Sequence, residues 1–361
     1  MSGAENIKCE LEAGVGLLTL NRPRALNALT LDMLKSMTET LTRWEKEEEV
    51  KLIIVVGEGE RAFCSGGDVK SIAAARDQPA VQREFLQWEY RLDLLISRLA
   101  TPYLAVWDGL VMGGGVGISR MGLLRLATER TVFAMPECGI GLIPDVGSSH
   151  FLPLLQGNLG LCLGLTGQRV GGWECSQLGL ATHYVRSEDV QQVIKHLRTL
   201  SSSSSSSSLD IVEVNKVLAA FQQSSPIENN AGVLTENLEE INAIFSLGSL
   251  PEIIQKCRSD SSEFSCKILS LLERCSPTSL QITFHQLRTG RAREKVTYQE
   301  ALQLEYRLMT RRFLDADFYE GVRAALVEKD GRPVWSPART EADIQQYFDQ
   351  LGEEEELELG E

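Results

Sequence analysis

The first two-thirds of the chain alternate between segments with the hydrophobic pattern of a β-strand and segments with that of an α-helix. Residues Ile7 to Leu20 predict a hairpin that turns near Gly14. The continuous apolar run Leu52 to Val56 is typical of a strand buried on both faces, and Tyr103 to Trp107 and Leu124 to Ala127 look similar. Strands separated by helix-like stretches predict an α/β unit with crossover connections.

The pattern changes after roughly residue 190, where most of the remaining chain is helical in character. Residues 201–208 are all serine, and serine repeats bury little, so we expect an exposed loop there. We therefore divide the chain into a core over residues 1–200, this loop, a helical C-terminal region over 209–352 and an acidic tail over 353–361. Within the helical region, Ser276 and Pro277 predict a helix start.

Composition and charge exclude some classes of function. Of the 361 residues, 43% are hydrophobic, enough for a sizeable core. The formal net charge of −14 argues against binding to nucleic acids or anionic membranes. No apolar run approaches the roughly 18 residues of a transmembrane helix. The glutamates of the tail predict a solvated, frayed end.

The cysteines and histidines do not form the spacing of metal ligands. No CxxC pair occurs, and the evenly spaced Cys257, Cys266 and Cys275 have no histidine cluster beside them. Zinc sites need close ligand pairs, so we expect no metal site and a reducing compartment for these thiols. Residues Met1 to Glu12 are acidic and show no targeting stretch, so the residues themselves indicate no compartment.

Two glycine-rich segments follow predicted strands. They are Cys64 to Asp68, after Leu52 to Val56, and Gly113 to Gly117, after Tyr103 to Trp107. Glycine lets the backbone approach a ligand closely, and two loops that each present an N–H group to one point can form an oxyanion hole. Each segment alone is also what an ordinary tight turn looks like. Neither fits a dinucleotide fingerprint or a Walker A loop.

Two carboxylates, Glu137 and Asp145, stand in the otherwise apolar, glycine-rich segment Met135 to Gly147. Carboxylates in apolar settings are costly unless they are paired or used in chemistry. Asp145 has a structural alternative, because it could cap a helix that starts near Gly147. The residues alone leave both a functional pair and a structural cap open.

These elements, in this order and spacing, resemble the crotonase (enoyl-CoA hydratase/isomerase) superfamily, and within it the 3-hydroxyisobutyryl-CoA hydrolases. The resemblance covers nearly the whole chain, and its most specific motifs are Met135 to Gly147 and Phe318 to Ala324. Further matching segments are Asn21 to Leu29, Met112 to Gly117, Phe151 to Pro153, Leu165 to Gly167 and Ser276 to Ser279. The fold implied is a crotonase-type α/β spiral of ββα units with a helical C-terminal region that packs over the active site.

The resemblance also implies roles for individual residues. Gly67 and Gly114 would supply the N–H groups of the oxyanion hole. Glu137 matches the catalytic glutamate and Asp145 the aspartate of the hydrolases, and Glu89 matches a substrate-contacting glutamate. The substrate would therefore meet Glu89, Gly114, Glu137 and Asp145.

Three further places bear on specificity. Arg24 is either a contact for the adenosine or phosphate of CoA or an ordinary surface arginine. Gly117 stands where hydratases of the superfamily place a second glutamate, and hydration needs two positioned acid/base groups, so the hydratase pair is incomplete. Ser148, Ser149 and His150 replace a glycine-rich, aromatic stretch, a change that would affect the acyl group accepted.

The reaction implied is hydrolysis of a short 3-hydroxyacyl-CoA thioester. The substrate of the family is 3-hydroxyisobutyryl-CoA, an intermediate of valine breakdown in the mitochondrial matrix. No metal or redox cofactor is expected, since CoA is part of the substrate. Two alternatives stay open: another crotonase reaction, such as hydration or isomerisation, and a non-catalytic acyl-CoA-binding member. A homo-oligomer also stays open, because relatives form trimers or hexamers whereas an extended helical C-terminus would cover that surface.

Overall fold

The computed structural model of the protein describes residues 6–227, 232–292, 296–352 and 355–359. Its strands are β1 (Ile7–Glu12), β2 (Val15–Leu20), β3 (Leu52–Gly57), β4 (Ala62–Cys64), β5 (Tyr103–Trp107), β6 (Leu110–Met112), β7 (Leu124–Ala127), β8 (Val132–Ala134), β9 (Val170–Gly171) and β10 (His183–Tyr184). Its α-helices are α1 (Leu31–Trp44), α2 (Val69–Ala74), α3 (Pro79–Arg98), α4 (Gly114–Arg120), α5 (Ser148–Phe151), α6 (Leu159–Thr166), α7 (Gly172–Gln177), α8 (Val190–Ser203), α9 (Ile211–Phe221), α10 (Val233–Glu236), α11 (Leu238–Phe245), α12 (Leu250–Ser259), α13 (Glu263–Leu272), α14 (Pro277–Ala292), α15 (Tyr298–Arg312), α16 (Ala316–Val322) and α17 (Glu341–Gln345). Single turns of 3₁₀-helix lie at Pro23–Ala25, Glu137–Ile140, Leu152–Leu154, Ser187–Asp189 and Gln346–Phe348, and a π-helical turn at Arg323–Val327.

The larger sheet has the strand order β1-β2-β3-β5-β7-β10. The hairpin predicted at Gly14 joins β1 to β2, and Ala13 and Gly14 both adopt positive φ at its turn. From β2 to β10 the neighbouring strands are parallel, as crossover connections require. The three segments predicted as buried strands form β3, β5 and β7, and β5 and β7 are buried along their whole length, including Arg125 of β7.

Hydroxyl groups cap the starts of two helices, one of them the start predicted at Ser276. The hydroxyl of Thr30 accepts a hydrogen bond from the N–H of Met33 at 3.3 Å and caps α1. The hydroxyl of Ser276 accepts one from the N–H of Ser279 at 3.2 Å at the start of α14. The smaller sheet, of order β4-β6-β8-β9, consists of short strands, and β4 runs parallel to β6.

The chain forms two compact units with interleaved segments. The first contains the described residues of Met1–Gly67, Trp88–Phe133 and Val170–Thr235. The second contains those of Asp68–Gln87, Ala134–Arg169 and Glu236–Glu361. These boundaries differ from the division at residues 200 and 209 that composition suggests, because packing partners, not composition, define the units.

The first unit extends beyond residue 200 because helix α9 packs into its core. Its hydrophobic core lies between the larger sheet and the helices α8 and α9, and it includes Leu104 of β5, Leu197 of α8 and Leu218 of α9. Helix α9 belongs to the expected C-terminal helical region, yet its apolar side is buried on the sheet together with α8.

The serine tract is only partly the exposed loop that we expect. Ser201–Ser203 continue α8, and Ser201 is fully buried. The ammonium group of Lys51 donates to the carbonyl oxygens of Ser201 at 3.2 Å and of Ser204 at 2.6 Å, which satisfies acceptors at the end of the helix. Ser205, Ser206 and Ser207 are exposed and lie outside helices. The expectation of a loop over 201–208 is therefore wrong for its first three residues.

The acidic tail is also more ordered than a frayed end. Glu353, Glu354 and residues 360–361 lie outside the described residues. In the second unit, Leu357 and Leu359 are buried, and the two carboxylate oxygens of Glu356 share the N–H at Nε of Arg307 at 2.8 and 3.0 Å. The two buried leucines anchor this segment, although its many glutamates make the sequence look like a solvated tail. In the described residues, no helix is long and apolar enough to cross a membrane.

Candidate active site

Both glycine turns of the first unit leave the same edge of the smaller sheet. Gly66 and Gly67 follow β4, and Gly113 and Gly114 follow β6. Since β4 and β6 are parallel neighbours, the two turns emerge side by side. Gly66 and Gly113 adopt φ values of +103° and +48°, a region that favours glycine.

The N–H groups of Gly67 and Gly114 lie in one place. Gly114 is the first residue of α4, so its N–H has no acceptor within the helix. A methyl group built on Gly114 would lie 3.3 Å from the backbone nitrogen of Gly67. In the parts of the chain that the structure describes, neither N–H donates to a backbone carbonyl. Two adjacent donors at a glycine-lined turn are the arrangement of an oxyanion hole.

Glu89 belongs to the same cluster. It lies on α3 and is 4% exposed. The methyl group built on Gly114 would collide with its Oε1 atom, so this carboxylate lies directly beside the two glycine turns. The structure thus brings together Gly67, Gly114 and Glu89, the residues to which the resemblance assigns an oxyanion hole and a substrate contact.

The N-terminal segment that the resemblance assigns to CoA contacts the first glycine turn. The N–H of Leu29 donates to the carbonyl of Gly66 at 2.9 Å, and the N–H of Ser65 donates to that of Leu26 at 3.0 Å. Arg24 lies on the short 3₁₀ turn of this segment and is exposed. An exposed cation here fits either a contact for CoA phosphate or an ordinary surface arginine.

Gly117, Cys64 and Cys138 supply no acid/base group at neutral pH. Gly117 is buried on α4, where the second glutamate of a hydratase would stand. Burial raises the pKa of Cys64 to about 12, and burial raises that of Cys138 well above its ordinary value. Both thiols therefore stay protonated at neutral pH and are poor nucleophiles.

In the second unit, Glu137 opens the 3₁₀ turn Glu137–Ile140 and is 6% exposed. The carbonyl of Cys138 accepts a hydrogen bond from the N–H of Ser276 at 3.0 Å. The guanidinium of Arg312, which is fully buried on α15, donates from its Nε to the carbonyl of Gly141 at 3.0 Å. The turn of Glu137 is thus held by residues from the C-terminal helices.

The two family motifs of the C-terminal region also contact this turn. The hydroxyl of Ser276 donates to the carboxylate of Asp317, and an added methyl group on Gly321 would collide with the backbone of Ile140. Ser276 belongs to the segment Ser276 to Ser279, and Gly321 belongs to Phe318 to Ala324. Close contact with the turn of Glu137 therefore explains why these two motifs need a small or hydroxyl-bearing residue at these positions.

Asp145 lies on a strained turn. Val146 and Gly147, directly after it, have φ values of +52° and +87°. Positive φ is rare for a β-branched residue and costs energy unless the surroundings impose it. Helix α5 follows, with Gly147 as its N-cap and no side-chain hydrogen bond from the cap. Gly147, and not Asp145, therefore occupies the N-cap position of α5.

The start of α5 is instead bound by Glu305, a residue that the sequence reasoning missed. Glu305 is fully buried on α15, and its carboxyl oxygens accept hydrogen bonds from the N–H groups of Gly147 at 2.6 Å and Ser149 at 2.7 Å. Burial, together with the charge of Asp145, raises the pKa of Glu305 to about 8 against the lowering effect of these hydrogen bonds.

Ser148, Ser149 and His150 make contacts with the C-terminal helices and the segment before α15. Gln286 on α14 donates from its Nε2 to the hydroxyl of Ser149 at 2.9 Å. The hydroxyl of Ser148 donates to the carbonyl of Pro144 at 2.6 Å, and the Nδ1 of His150 lies 2.9 Å from the carbonyl of Val296. These contacts hold the turn in place. If the three residues affect which acyl group is accepted, they would do so by setting the position of the turn.

The site residues thus fall into two groups. Gly67, Gly114 and Glu89 lie together in the first unit, and Glu137 and Asp145 lie in one segment of the second. Among the described residues, no three histidine, cysteine or acidic side chains form a group that could hold a metal ion.

Comparison with known proteins gives the family. Residues 15–351 match the family model described as enoyl-CoA hydratase/isomerase. In structure, the chain is similar to a carnitinyl-CoA dehydratase from Mycobacterium thermoresistibile, with a TM-score of 0.88 and 35% identity over 98% of this chain and 99% of the other. The protein therefore belongs to the enoyl-CoA hydratase/isomerase, or crotonase, superfamily, and the α/β crotonase-type fold with a helical C-terminal region is confirmed.

Within this superfamily, the chain is similar to two proteins named "3-hydroxyisobutyryl-CoA hydrolase, mitochondrial". The protein of Danio rerio is 43% identical over 336 residues, which cover 92% of this chain and 86% of the relative. The protein of Homo sapiens is 41% identical over 355 residues, which cover 97% of this chain and 90% of the relative.

Proposed function

We propose that this protein is a thioester hydrolase that releases CoA from 3-hydroxyisobutyryl-CoA, a step of valine breakdown. The observation that carries the proposal is the 41–43% identity, over nearly the whole chain, to relatives named for this reaction. The site supports it, because Glu137 and Asp145 are both present and buried in the segment that the resemblance assigns to catalysis.

The carbonyl oxygen of the thioester would accept hydrogen bonds from the N–H groups of Gly67 and Gly114. Negative charge on this oxygen grows as the tetrahedral intermediate forms, and prealigned donors in a site without water stabilise that charge. Glu89, beside these donors, would contact the hydroxyl group of the acyl chain or a water molecule.

Glu137 would act at the carbonyl carbon by one of two routes. As a nucleophile, its carboxylate forms an anhydride and expels the CoA thiolate, and water then cleaves the anhydride. As a general base, it takes a proton from the water that attacks the carbonyl, and CoA thiolate leaves from the tetrahedral intermediate. Asp145 would bind the substrate hydroxyl or position the water. In either route one water molecule is consumed, and its protons end on the CoA thiolate and on the carboxyl groups. We propose that no metal or redox cofactor takes part.

Hydration of an enoyl-CoA is the competing function, because structures such as that of an enoyl-CoA hydratase from Rhodobacter sphaeroides are similar to this one, with a TM-score of 0.86 and 31% identity over 98% of this chain and 99% of the other. Gly117 argues against hydration, since it offers no second acid/base group.

The test is release of CoA thiol from a panel of acyl-CoA thioesters, with crotonyl-CoA hydration measured in parallel. We expect the fastest release with 3-hydroxyisobutyryl-CoA, little hydration and no effect of EDTA. Hydration as fast as thioester cleavage would overturn the hydrolase proposal. Loss of activity in EDTA that zinc restores would overturn the proposal that no metal takes part.

The relatives are named as mitochondrial proteins, and we propose the mitochondrial matrix as the location of this one. Fractionation of cells with an antibody to the protein tests the location. Light scattering on the purified protein measures the oligomeric state, for which a homo-oligomer is one form that the family resemblance allows.

A further inference from the structure

We propose that Glu305 and Gln286 are positioning residues for Asp145: from α15 and α14 they fix the strained turn on which this aspartate lies. The inference rests on the proposed function, because it assigns a task within thioester hydrolysis to two residues that do not touch the substrate.

The first observation is a two-point contact by Glu305. One carboxyl oxygen accepts from the N–H of Gly147 at 2.6 Å, and the other accepts from the N–H of Ser149 at 2.7 Å. Because the two acceptors belong to one rigid, fully buried carboxyl group, they fix the direction of the backbone as well as its distance. These amides lie two and four residues after Asp145.

The second observation is a contact on the other side of Asp145. The Nε2 of Gln286 donates to the carbonyl of Pro144 at 2.7 Å and to the hydroxyl of Ser149 at 2.9 Å. Gln286 is fully buried. The turn is therefore bound immediately before Asp145 by Gln286 and shortly after it by Glu305, so the backbone of the aspartate has little freedom.

The third observation is the conformation that these contacts maintain. Val146 has a φ of +52°, which a β-branched residue adopts only when its surroundings impose it. The ring of Tyr298 closes the turn, since a methyl group on Gly147 would collide with it, and the hydroxyl of Tyr298 lies 3.4 Å from the carbonyl of Val146. Without the contacts from the helices, the turn would relax and move Asp145.

The Glu305→Gln variant removes one of the two contacts while conserving size. An amide has one oxygen, so its NH₂ group would face one backbone N–H as a second donor, and that hydrogen bond is lost. Displacement of a catalytic group by about 1 Å costs on the order of 10²-fold in rate. We expect kcat for 3-hydroxyisobutyryl-CoA to fall by about 10- to 100-fold, with KM nearly unchanged.

A matched control is Glu174→Gln. Glu174 is also a buried glutamate that accepts from two backbone amides at a helix start, those of Leu234 at 2.6 Å and Thr235 at 2.8 Å, but these belong to α10. Glu174 accepts both bonds on one oxygen, Oε1, which glutamine retains, whereas the two amides at Glu305 use different oxygens. Glu174→Gln therefore makes the same substitution at a buried site without the loss of a backbone hydrogen bond, and it should keep the kcat of the wild type. If Glu305→Gln does not fold, Gln286→Met gives a second test of the positioning role. This variant should fold, because the carbonyl of Pro144 loses Gln286 but keeps its hydrogen bond from the hydroxyl of Ser148.

A double-mutant cycle separates positioning from a general structural role. If Glu305 acts through Asp145, then Asp145→Asn with Glu305→Gln should be about as slow as Asp145→Asn alone. Losses that multiply would overturn the proposal, and so would wild-type kcat in folded Glu305→Gln and Gln286→Met.

Hydrogen exchange at the amides of Gly147 and Ser149 provides a measurement that needs no catalysis. Both amides should be protected in the wild type and in Glu174→Gln, and should exchange faster in Glu305→Gln. Unchanged protection would overturn the positioning role. Failure of the wild type to cleave the thioester, with the expected exchange pattern intact, would instead overturn the proposed function alone.

Discussion

The Nε of Arg312 donates to the carbonyl oxygen of Gly141 at 3.0 Å, and this bond joins helix α15 to the end of the turn that begins with Glu137. Seven residues earlier on the same helix, Glu305 binds the turn that follows Asp145. One helix therefore holds the backbone around both proposed catalytic carboxylates. Arg312 does so as a donor to a carbonyl, and Glu305 does so as an acceptor from amides.

Replacement of Arg312 by methionine should destabilise the protein strongly. Arg312 is fully buried and bonded to Gly141 and Asp315. Its removal leaves the carbonyl of Gly141 without this donor and takes one of two arginine partners from Asp315, which keeps Arg339. Such a loss typically costs about 3–5 kcal/mol. Urea denaturation measures it, with Arg258→Met as the control. Arg258 forms an exposed ion pair with Glu273, whose loss should cost about 0–1 kcal/mol. Equal effects of the two substitutions would contradict the assignment.

The Glu137→Gln variant should lose about 10²–10⁴-fold in turnover and keep its affinity for acyl-CoA, because glutamine cannot act as nucleophile or base. Asp145→Asn should also lower turnover, and the double variant should lose less than the product of the single losses if the pair acts as a unit. Asparagine is close to aspartate in size and caps helices about as well, so this change should leave the melting temperature nearly unchanged. Normal turnover in both single variants, with intact folding, would remove the proposed mechanism.

The sequence predicts the elements that depend on local pattern. The segments at β3, β5 and β7 are mostly apolar, and the hydroxyl of Thr30 sets the start of α1, so neighbouring residues suffice for both. The motif around Glu137 is likewise contiguous, which allows its assignment by resemblance.

Partners that are distant in sequence are what local reasoning misses. Helix α9 joins the first unit because Leu218 meets the sheet, a contact that no local pattern encodes. Glu305 carries a signal that could have found it. It lies on the buried side of α15, in register with Leu302 and Met309, and a charged residue in an apolar stripe needs a partner. The identity of that partner, the turn after Asp145, depends on tertiary packing.

Alanine at Gly114 should abolish most turnover. The added methyl group would collide with Glu89 and lie 3.3 Å from the nitrogen of Gly67, so it would occupy the space of the oxyanion. Loss of one oxyanion donor typically costs about 10²–10³-fold in rate. Gly171→Ala is the control, because a methyl group there meets no atom within 4 Å. Steady-state hydrolysis at equal folded concentration compares them, and similar rates would exclude Gly114 from the site.

Deletion within the serine tract should be tolerated only in its exposed part. Removal of Ser205, Ser206 and Ser207 shortens a loop and should leave the melting temperature nearly unchanged, since loop closure depends weakly on length. Removal of residues 201–208 should lower it clearly, because buried Ser201 and the carbonyls bound by Lys51 are lost. Thermal unfolding of the two deletions measures the difference, and equal melting temperatures would show that Ser201 contributes nothing.

The stability contributed by Glu305 should depend on pH in a direction fixed by its pKa. Burial, together with the charge of Asp145, raises that pKa from 4.5 to about 8, so between these values the folded protein binds a proton that the unfolded chain does not hold. The free energy of unfolding then falls as pH rises across this window. The contribution is complete below pH 4.5 and is lost as pH passes through about 8.

Glu305→Gln cannot titrate, so the stability of the wild type relative to this variant should be greatest near pH 4.5 and decrease toward pH 8. Urea denaturation of both proteins across this range measures the difference, and a gap that stays constant or widens with pH would show that Glu305 is ionised throughout.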